Sequence, residues 1–540
     1  MLRIENTVDC CGCGACEQIC PKHCISLIED TQGFLYPAVD ASICVDCGLC
    51  EKVCPSSDDA FVSKKLDARP DVALPIEVLA AKNPDASVRK GSSSGGVFSM
   101  LAESVIAQGG VVFGAMFNDS FEVVHGFVED REQLSKLRGS KYVQSHIGNS
   151  FREVEHFLKE GRKVLFSGTP CQAMALRNYL TLRGFVDFRC SGGLEAAGYE
   201  HNMIDSSAQN RCDDPIDCYS SINCSNTDDI SVGNNHRNEI CNGRLNNTRR
   251  NGIRNGRLNN SHQRSLDNLL IVDIVCHGVP SPMIWRDYLS YSCSQMRSST
   301  VDCSQSAVKF RGDSATEKMQ CGKDSNLFPI NFRDKSRGWR NYRVVIGGKS
   351  EYYAFNPFMA GFLQNYYLRP SCYSCPVKGV FAAMSAAVDA AHSFAAMSAA
   401  VDAGEHPVKA DAFDKSEISA VYESDISLGD YWGIETVHPE YSDDAGVSLV
   451  LVNSRKGVKA MSGLAVDSLK SDFTSAVKKN PSIVSDPARP AAYDDFWAAY
   501  KEEGVAAISK FATTPSKVNI FKSRIKCLIK RTLRFLEKSI

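Results

Sequence analysis

The chain has 540 residues, of which 43% are hydrophobic, 23% are charged and 23 residues are cysteines. A formal net charge of −2 gives no reason to expect nucleic acid or an acidic substrate as a partner. Two or three domains are expected at this length, because one hydrophobic core rarely supports so long a chain. No run approaches the ~20 apolar residues of a membrane span. Many cysteines have the spacing of metal ligands, which favours a reducing compartment, so we predict a cytoplasmic protein.

Two matching cysteine runs dominate the first 55 residues, and each ends in a Cys-Pro pair. In each run four cysteines are separated by two, two and three residues, which is the bacterial ferredoxin pattern written twice. Three cysteines of such a run hold one [4Fe–4S] cube and the fourth ligates the other cube. Zinc or disulfides are the alternatives, but zinc knuckles usually lack the third cysteine and the Cys-Pro ending. The predicted ligands are Cys10, Cys13, Cys16 and Cys54 for cluster one, and Cys44, Cys47, Cys50 and Cys20 for cluster two. Cys11 and Cys24 fall outside the pattern.

Beyond a polar linker the chain changes to strands that alternate with helices. Val78–Ala81 is predicted as a buried strand, Val97–Ala107 as an amphipathic helix and Val111–Ala115 as the next strand. Lys163–Phe166 is predicted as a strand that runs into a helix beginning near Ala173. This alternation predicts an α/β domain with a mainly parallel, layered sheet.

Two tracts interrupt the alternation. Residues 189–268 are rich in Asn, Ser, Arg and Asp and cannot bury enough apolar surface to fold alone, so we interpret them as a disordered insertion. Leu269–Gly278 is then predicted as a buried strand that ends in a glycine turn. Ten residues from Phe381 recur verbatim from Phe394, which indicates a local duplication. The predicted segments are a dicluster domain (1–56), a linker (57–75), an α/β domain in three parts (76–188, 269–380 and 421–512), two insertions (189–268 and 381–420) and a terminal helix (513–540).

The terminal helix is basic and amphipathic. Lys517–Ile540 carries eight Lys or Arg residues against one Glu, with apolar side chains along one face. Packing on its own domain with a solvated basic face is one interpretation of this helix. Peripheral contact with an anionic membrane or an acidic partner is the other.

Four further cysteines occupy positions with a specific local sequence. Cys171 follows a strand at a helix N-terminus, where the helix dipole lowers a thiol pKa, and Cys276 ends a buried strand. The carboxyl ends of parallel strands lie at one edge of a sheet, so these two thiols are expected to meet there. Cys372 and Cys375 form a Cys-x2-Cys between two prolines and would complete a set of four thiolates. Buried structural cysteines are the alternative.

Two turns rich in glycine and hydroxyl groups, Ser92–Gly96 and Ser167–Thr169, lie between predicted strands and helices. Free N–H groups and the helix dipole favour a phosphate or pyrophosphate at such turns, and Arg138–Lys141 adds cationic donors. A plain turn is the alternative, since neither segment has a dinucleotide or Walker motif. An iron–sulfur cluster carries one electron at a time, whereas most substrates take two. A flavin can accept electrons singly and pass them on as a pair.

Six motifs, taken in order, resemble one family: SSSGGVFS (92–99), RGSKYVQS (138–145), LFSGTPCQ (165–172), VDIVCHGVPSP (272–282), LRPSCYSCPVKG (368–379) and SDISLGDYWGIE (424–435). The chain resembles the coenzyme F420 hydrogenase/dehydrogenase beta subunits, in the version with an N-terminal ferredoxin domain, from Cys10 to about Lys456 apart from the two insertions. The resemblance implies FAD and a third [4Fe–4S] cluster on Cys171, Cys276, Cys372 and Cys375. The implied FAD contacts are Ser93, Ser94, Gly95, Gly96, Arg138, Gly139, Ser140, Lys141, Ser167, Gly168 and Thr169.

The leading hypothesis is an oxidoreductase. Reduced ferredoxin or another redox subunit supplies the clusters, and FAD collects two electrons for hydride transfer to coenzyme F420 or another unsaturated small molecule. His277 and Asp430 are candidates for proton handling near the flavin, with a structural histidine and a helix-capping aspartate as the alternatives. A non-catalytic electron-transfer subunit is the second hypothesis, and flavin content discriminates the two. The predicted fold is an α+β ferredoxin-like dicluster module followed by the α/β domain.

Overall fold

The computed structural model describes residues 7–57, 75–186, 264–298, 308–311, 318–321, 328–378 and 424–514. The Asn- and Ser-rich tract up to residue 263, the duplicated segment and the predicted basic helix beyond residue 514 lie outside these ranges. No helix in the described ranges is both long enough and apolar enough to cross a membrane.

Residues 7–57 form a small α+β module, as predicted from the two cysteine runs. Its elements are helix α1 (Ala15–Ile19), strands β1 (Ile25–Glu29) and β2 (Leu35–Val39), and helix α2 (Leu49–Val53). The strands pair antiparallel, and the two short helices contact each other. Gly14 at φ 68° and Gly48 at φ 70° precede the helices in the left-handed region, which glycine adopts without steric cost. These glycines let each cysteine loop turn sharply into its helix.

An eight-stranded mixed sheet forms the centre of the second domain. Its strands, in spatial order, are β17 (Asp467–Lys470), β3 (Glu77–Lys82), β16 (Ser448–Val452), β15 (Ile426–Asp430), β9 (Leu269–Ile274), β6 (Val164–Gly168), β4 (Val111–Phe117) and β5 (Val123–Val128). The four neighbouring strands β15, β9, β6 and β4 are parallel, and the strands on both sides of them pair antiparallel. The predicted α/β class is therefore confirmed. The parallel strands include β6 and β9, which end just before Cys171 and Cys276.

Helices cover the sheet and smaller strands extend the domain. The helices are α3 (Ala86–Gly91), α4 (Val97–Ile106), α5 (Ser150–Lys159), α6 (Pro170–Leu182), α7 (Pro282–Ser298), α8 (Pro357–Leu363), α9 (Ile434–Val437), α10 (Arg455–Ser462), α11 (Phe473–Lys478), α12 (Tyr493–Glu503) and α13 (Ala506–Phe511). The remaining strands are β7 (Phe185–Val186), β8 (Arg264–Ser265), β10 (Val308–Arg311), β11 (Lys318–Cys321), β12 (Ile330–Asp334), β13 (Arg343–Ile346) and β14 (Lys349–Tyr352).

Helix α6 begins earlier than the apolar pattern predicts. Thr169 and Gln172 form a capping box, and Pro170 occupies the first helical position. The helix therefore starts at Pro170 rather than near Ala173, and Cys171 lies in its first turn. The described chain resumes at Arg264, where strand β8 pairs parallel with β7. The end of the predicted insertion, before the strand at Leu269, therefore belongs to the folded domain.

The sheet buries both faces, and the dicluster module covers part of one of them. Phe166 on β6 packs in a core that contains Ala15 and Ile19 of the module. The adjacent Leu165 faces the opposite side and packs with Leu101 of α4. Because successive residues of a strand point to opposite faces, one strand contributes to both cores. The dicluster module thus shares a continuous hydrophobic core with the α/β domain.

Asp273 of β9 is a buried carboxyl group whose titration should affect stability. The residue is 5% exposed, one carboxyl oxygen has no hydrogen-bond partner, and the hydroxyls of Ser424 and Ser427 lie near the carboxyl group. Burial raises its pKa from 3.8 to about 7. The folded chain therefore binds more protons than the unfolded chain between these values. The free energy of unfolding should fall as pH rises through this window, by up to ~1.4 kcal/mol per pH unit, and should then stay level.

The Asp273→Asn variant should lose this dependence and should be more stable than the parent at pH 8. Urea denaturation of anaerobic protein, followed by tryptophan fluorescence at pH 5 and pH 8, measures the effect. Asp267→Asn, which changes an exposed carboxylate a few residues earlier, is the matched control and should keep the parent's pH dependence. An unchanged pH slope in Asp273→Asn would contradict the assignment.

Candidate iron–sulfur and flavin sites

The four cysteines predicted for cluster one lie together in the dicluster module. Cys13 and Cys16 are buried, whereas Cys10 and Cys54 are half-buried. Burial, with added repulsion from Cys10 and Cys54, raises the pKa of the Cys16 thiol. Burial raises the pKa of Cys54 to about 11, and Cys10 contributes to the shift. The last cysteine of the second run therefore lies beside the first three of the first run, which is the crossed arrangement that the ferredoxin pattern predicts.

The cysteines predicted for cluster two line a pocket at the surface of the module. The pocket is lined by Cys20, Cys44, Cys47 and Cys50 together with Cys24. The Sγ atom of Cys24 lies 3.3 Å from that of Cys20, so this extra thiol belongs to the same pocket. The neighbouring Ile43 and Val45 are 49% and 45% exposed. Cluster two is therefore the dicluster site that lies nearer to solvent.

The other predicted thiols, Cys171, Cys276, Cys372 and Cys375, are brought together and are called the third site below. Cys171 and Cys276 follow the carboxyl ends of the parallel strands β6 and β9. Burial raises the pKa of Cys276 to about 12, with contributions from Cys171 and Cys375. Burial and the charge of Cys276 raise the pKa of Cys372.

The loop that carries Cys372 and Cys375 is held against the end of β9 by backbone contacts. Pro280 and Leu368 form an antiparallel bridge. A Cβ atom on Gly278, at φ 140°, would lie 2.8 Å from Leu368 Cδ1 and 3.4 Å from Cys372 Cβ. Glycine at this position therefore allows the cysteine loop to approach the strand end closely.

Cys11 connects cluster one to the third site. Its thiol lies close enough to those of Cys13 and Cys171 for each of them to affect its pKa. The Cys11 carbonyl accepts from Nε2 of Gln144 at 3.1 Å, and Cys171 Sγ lies 3.1 Å from Thr169 Oγ1. The contact with Cys11 and burial hold the pKa of Cys171 well above its ordinary value, so the lowering expected from the helix dipole does not prevail. Spacing alone did not mark Cys11, because it stands outside both runs.

Each of the three thiol sets has four members, which is the number of ligands that a [4Fe–4S] cube needs. In the described part of the chain, no three His, Cys, Asp or Glu side chains come close enough to share one metal ion. Each thiolate of a [4Fe–4S] cube binds a different iron, so its ligands stand around the cube rather than around one ion. The raised thiol pKa values mean that cluster binding at these sites displaces protons.

Two of the three predicted flavin segments are in direct contact. The backbone N–H and hydroxyl of Ser140 lie 2.7 and 2.9 Å from Ser93 Oγ. His125 connects the third segment, Ser167–Thr169, to the chain just after Arg138–Lys141. Its Nε2 is 3.0 Å from the Ser167 carbonyl oxygen and its Nδ1 is 2.9 Å from Ser145 Oγ. Burial lowers the pKa of His125 to about 4, so this histidine is neutral near pH 7. The predicted segments thus gather at the end of the sheet where the parallel strands finish.

Some predicted flavin donors already have partners within the chain. The N–H of Gly95 donates to Ser448 Oγ at 3.0 Å, and a Cβ there would lie 2.2 Å from the Ala81 carbonyl oxygen. The Lys141 ammonium donates to two carbonyl groups of its own loop, at 2.9 and 3.1 Å, and burial lowers its pKa to about 7. Arg138 Nε donates to Ser99 Oγ at 2.9 Å. The geometry of Gly95 therefore reflects close packing against β3 and β16.

Two buried cations from β12 and its end hold the Ser92–Gly96 turn, and the sequence analysis missed both. Arg333 donates from Nη2 to the Ser93 carbonyl at 3.4 Å and from Nη1 to Asp430 Oδ2 at 2.8 Å. Lys335 Nζ donates to the carbonyl of Ser94 at 2.8 Å and to two further carbonyls. Carbonyl groups on the inner side of the turn are thereby occupied. A single basic residue in each position gave no pattern from which these contacts could be predicted.

The two residues predicted to handle protons, His277 and Asp430, have different hydrogen-bond partners. His277 Nε2 lies 2.7 Å from Asn365 Oδ1, and burial lowers the pKa of the imidazole. Asp430 accepts from Arg333 at the end of β15, so it anchors a buried guanidinium rather than capping a helix. A role for either residue in proton transfer stays a prediction.

These features define a class of protein: an iron–sulfur protein in which a dicluster module is packed on an α/β domain. Residues 9–57 match the family described as the 4Fe-4S dicluster domain, and residues 78–151 match the family described as coenzyme F420 hydrogenase/dehydrogenase, beta subunit N-term. The chain thus carries a 4Fe-4S dicluster domain followed by a segment similar to the N-terminal part of F420 hydrogenase/dehydrogenase beta subunits. The predicted resemblance is confirmed over these residues, and the dicluster domain supports the two predicted [4Fe–4S] clusters.

The chain is similar to one of the subunits of the F420H2 dehydrogenase from Methanosarcina mazei, with 29% identity over 177 residues. The alignment covers 31% of this chain and 47% of that relative, so the chain spans about half the length of the curated protein it matches. A chain of the F420-reducing [NiFe] hydrogenase complex from Methanosarcina barkeri aligns with 81% of this chain and 91% of its own length, at 13% identity and a TM-score of 0.32.

Proposed function

We propose that this protein carries electrons from reduced ferredoxin, or from a partner redox subunit, to a bound FAD that reduces coenzyme F420 or another unsaturated small molecule. A bound FAD supplies the conversion of single electrons into a two-electron hydride transfer. The observation that carries the proposal is the third site, whose four thiols converge at the sheet edge and reach cluster one through Cys11. A third [4Fe–4S] cluster on these thiols would connect the dicluster module to the flavin segments.

The exposure of the cysteines supports an order of transfer. Cluster two lies in a surface pocket beside the exposed Ile43 and Val45, which suits contact with an electron donor. Cluster one is more buried and lies beside the third site. Electrons would therefore enter at cluster two, pass to cluster one and continue to the third site.

The flavin segments would hold FAD at the end of the parallel strands. We propose that Ser93, Ser94 and Gly96 with Arg138–Lys141 face the pyrophosphate, since Arg333 and Lys335 hold the carbonyl side of the turn. The segment Ser167–Thr169 would approach the flavin from the strand that ends beside Cys171. His277 and Asp430 remain candidates for holding a proton near the acceptor.

The location and partners follow from the same chemistry. The dicluster domain implies iron–sulfur ligation, which suits a reducing compartment, so we propose a cytoplasmic protein. The proposed partners are a redox protein and a small-molecule acceptor, with no nucleic acid. Peripheral membrane contact through residues 513–540 is a separate proposal that rests on their basic amphipathic sequence.

A non-catalytic electron-transfer subunit is the second candidate function. It is favoured by the donors at Gly95 and Lys141, which already bind groups of the chain and are less free to bind a pyrophosphate. In that case the third site would pass electrons to another subunit.

Cofactor stoichiometry tests the proposal. Anaerobically purified protein should contain about twelve irons, a similar amount of acid-labile sulfide and about one FAD per chain, since each cube holds four irons. About twelve irons without flavin would favour the electron-transfer subunit. About eight irons without flavin would contradict both the third cluster and the hydride mechanism.

A further inference from the structure

Arg369 is a buried cation at the junction between the dicluster module and the α/β domain. The residue is 0% exposed. Its Nε donates to the Cys10 carbonyl at 2.6 Å, and its Nη2 donates to the Leu35 carbonyl at 2.9 Å and to Cys10 Sγ at 3.4 Å. Its Nη1 donates to Gln144 Oε1 at 3.1 Å. One guanidinium therefore contacts both the backbone and the sulfur of a predicted cluster-one ligand.

The cysteine loop is fitted closely around this side chain. The guanidinium carbon lies 4.3 Å from the ring centre of Tyr36 and 5.4 Å from that of Phe34. A Cβ atom on Gly12, at φ 69°, would lie 2.5 Å from Arg369 Nη1 and 2.5 Å from Gln144 Nε2. The loop can follow this path only with glycine at that position, so the position of the guanidinium relative to Cys10 is closely defined.

The side-chain group next to Arg369 that can carry a negative charge is the Cys10 sulfur, 3.4 Å from Nη2. Among the described residues, no Asp or Glu forms an ion pair with this guanidinium. A buried cation is costly unless a negative group compensates it, and thiolates that hold a reduced cluster supply that charge.

The backbone of the same residue belongs to the third site. The Arg369 carbonyl accepts from the N–H of Cys372 at 2.9 Å, and its own N–H donates to the Val279 carbonyl at 2.9 Å. The residue that contacts Cys10 through its side chain therefore also positions the Cys372 loop through its backbone.

We propose that Arg369 is a positioning residue that raises the reduction potential of cluster one above that of cluster two. Reduction adds a negative charge to a cluster, and a desolvated cation with an N–H···S hydrogen bond stabilises that charge. The interaction is strong because the site excludes water. Cluster two gains no such donor from Arg369, so an electron that enters there moves favourably towards the interior. The inference depends on Cys10 as a cluster-one ligand and not on FAD or the third cluster.

Redox titration of the full chain, followed by electron paramagnetic resonance, tests this role. In Arg369→Met one dicluster centre should become at least tenfold harder to reduce, which is about 59 mV for a one-electron couple, while the other keeps its potential. Arg369→Lys should shift less, because it keeps the charge but loses the planar fork. Arg152→Met is the matched control: Arg152 Nε donates to the Gln18 carbonyl of the same module at 2.9 Å without contacting a sulfur, so both potentials should stay unchanged.

Unchanged potentials in an Arg369→Met protein with full iron content would overturn the proposal. If that variant loses iron, the parent chain grown with ¹⁵N-arginine decides the question. Pulsed resonance of the reduced protein should show a ¹⁵N coupling from the guanidinium, and its absence would also overturn the proposal. About eight irons without flavin in the parent would refute the proposed function but leave this test intact.

Discussion

Replacing Cys276 by alanine is expected to lower the iron content of anaerobic protein from about twelve to about eight atoms per chain. Cys276 lies at the end of β9 among Cys171, Cys372 and Cys375, and its loss leaves three thiolates for four irons. The dicluster signals should persist, because their ligands belong to a separate module. Iron and sulfide analysis, with resonance spectra of the reduced protein, measures the outcome.

Cys293→Ala is the matched control for this substitution. Cys293 is buried in α7 and Cys276 is half-buried, so the control loses one cysteine sulfur with a packing defect at least as large. The control should keep about twelve irons. Cys276 is preferred to Cys171 for the test, because the Cys11 thiol lies next to Cys171 and could replace it as a ligand. Equal iron content in Cys276→Ala and the parent would show that the third site holds no cluster.

Replacing Arg333 by methionine is expected to lower the free energy of unfolding by roughly 3–5 kcal/mol. The Arg333 side chain is 3% exposed and that of Asp430 is 16% exposed, so the variant leaves a largely buried carboxylate without its partner. It also frees the Ser93 carbonyl, which lies in the proposed flavin turn. Urea denaturation measures the stability, and flavin released on denaturation measures cofactor retention, which should fall.

A second variant and a control separate the two effects. Arg333→Met with Asp430→Asn removes the unpaired charge and should recover part of the stability without restoring flavin retention. Arg340→Met is the control, since Arg340 is 32% exposed and pairs with the exposed Glu435 and Asp444. It should cost less than ~1 kcal/mol. A loss in Arg333→Met no larger than in Arg340→Met would contradict the role of the buried pair.

The parts of the site that could be predicted are those in which chemistry acts over short sequence distances. The two ferredoxin runs are repeated patterns of local spacing, so the dicluster domain was predicted without a structure. The meeting of Cys171 with Cys276 followed from a general rule, because both end parallel strands of one sheet. The complete third site needed one long-range assumption, namely that the Cys372 loop would reach the same edge of the sheet.

The antiparallel edges of the sheet were not predicted, because an apolar strand does not reveal the direction of its partner. Strand β16 is mostly apolar, but its pairing with β3 joins segments more than 350 residues apart. The same distance conceals the buried arginines: Arg369 contacts Cys10 across 359 positions, and Arg333 contacts Ser93 across 240. A single arginine in either segment has no periodicity or motif that points to such a partner.

The core that the dicluster module shares with the sheet ties the abundance of this protein to the supply of iron and sulfide. Ala15 and Ile19 lie between cysteine ligands and pack in the same core as Phe166. A chain that has not yet received its clusters lacks the bonds that shape these cysteine loops, so the face of the sheet beneath them is less well covered. Chains with such an uncovered apolar face are recognised by proteases and chaperones. Iron starvation should therefore deplete the polypeptide itself, not only its cofactors.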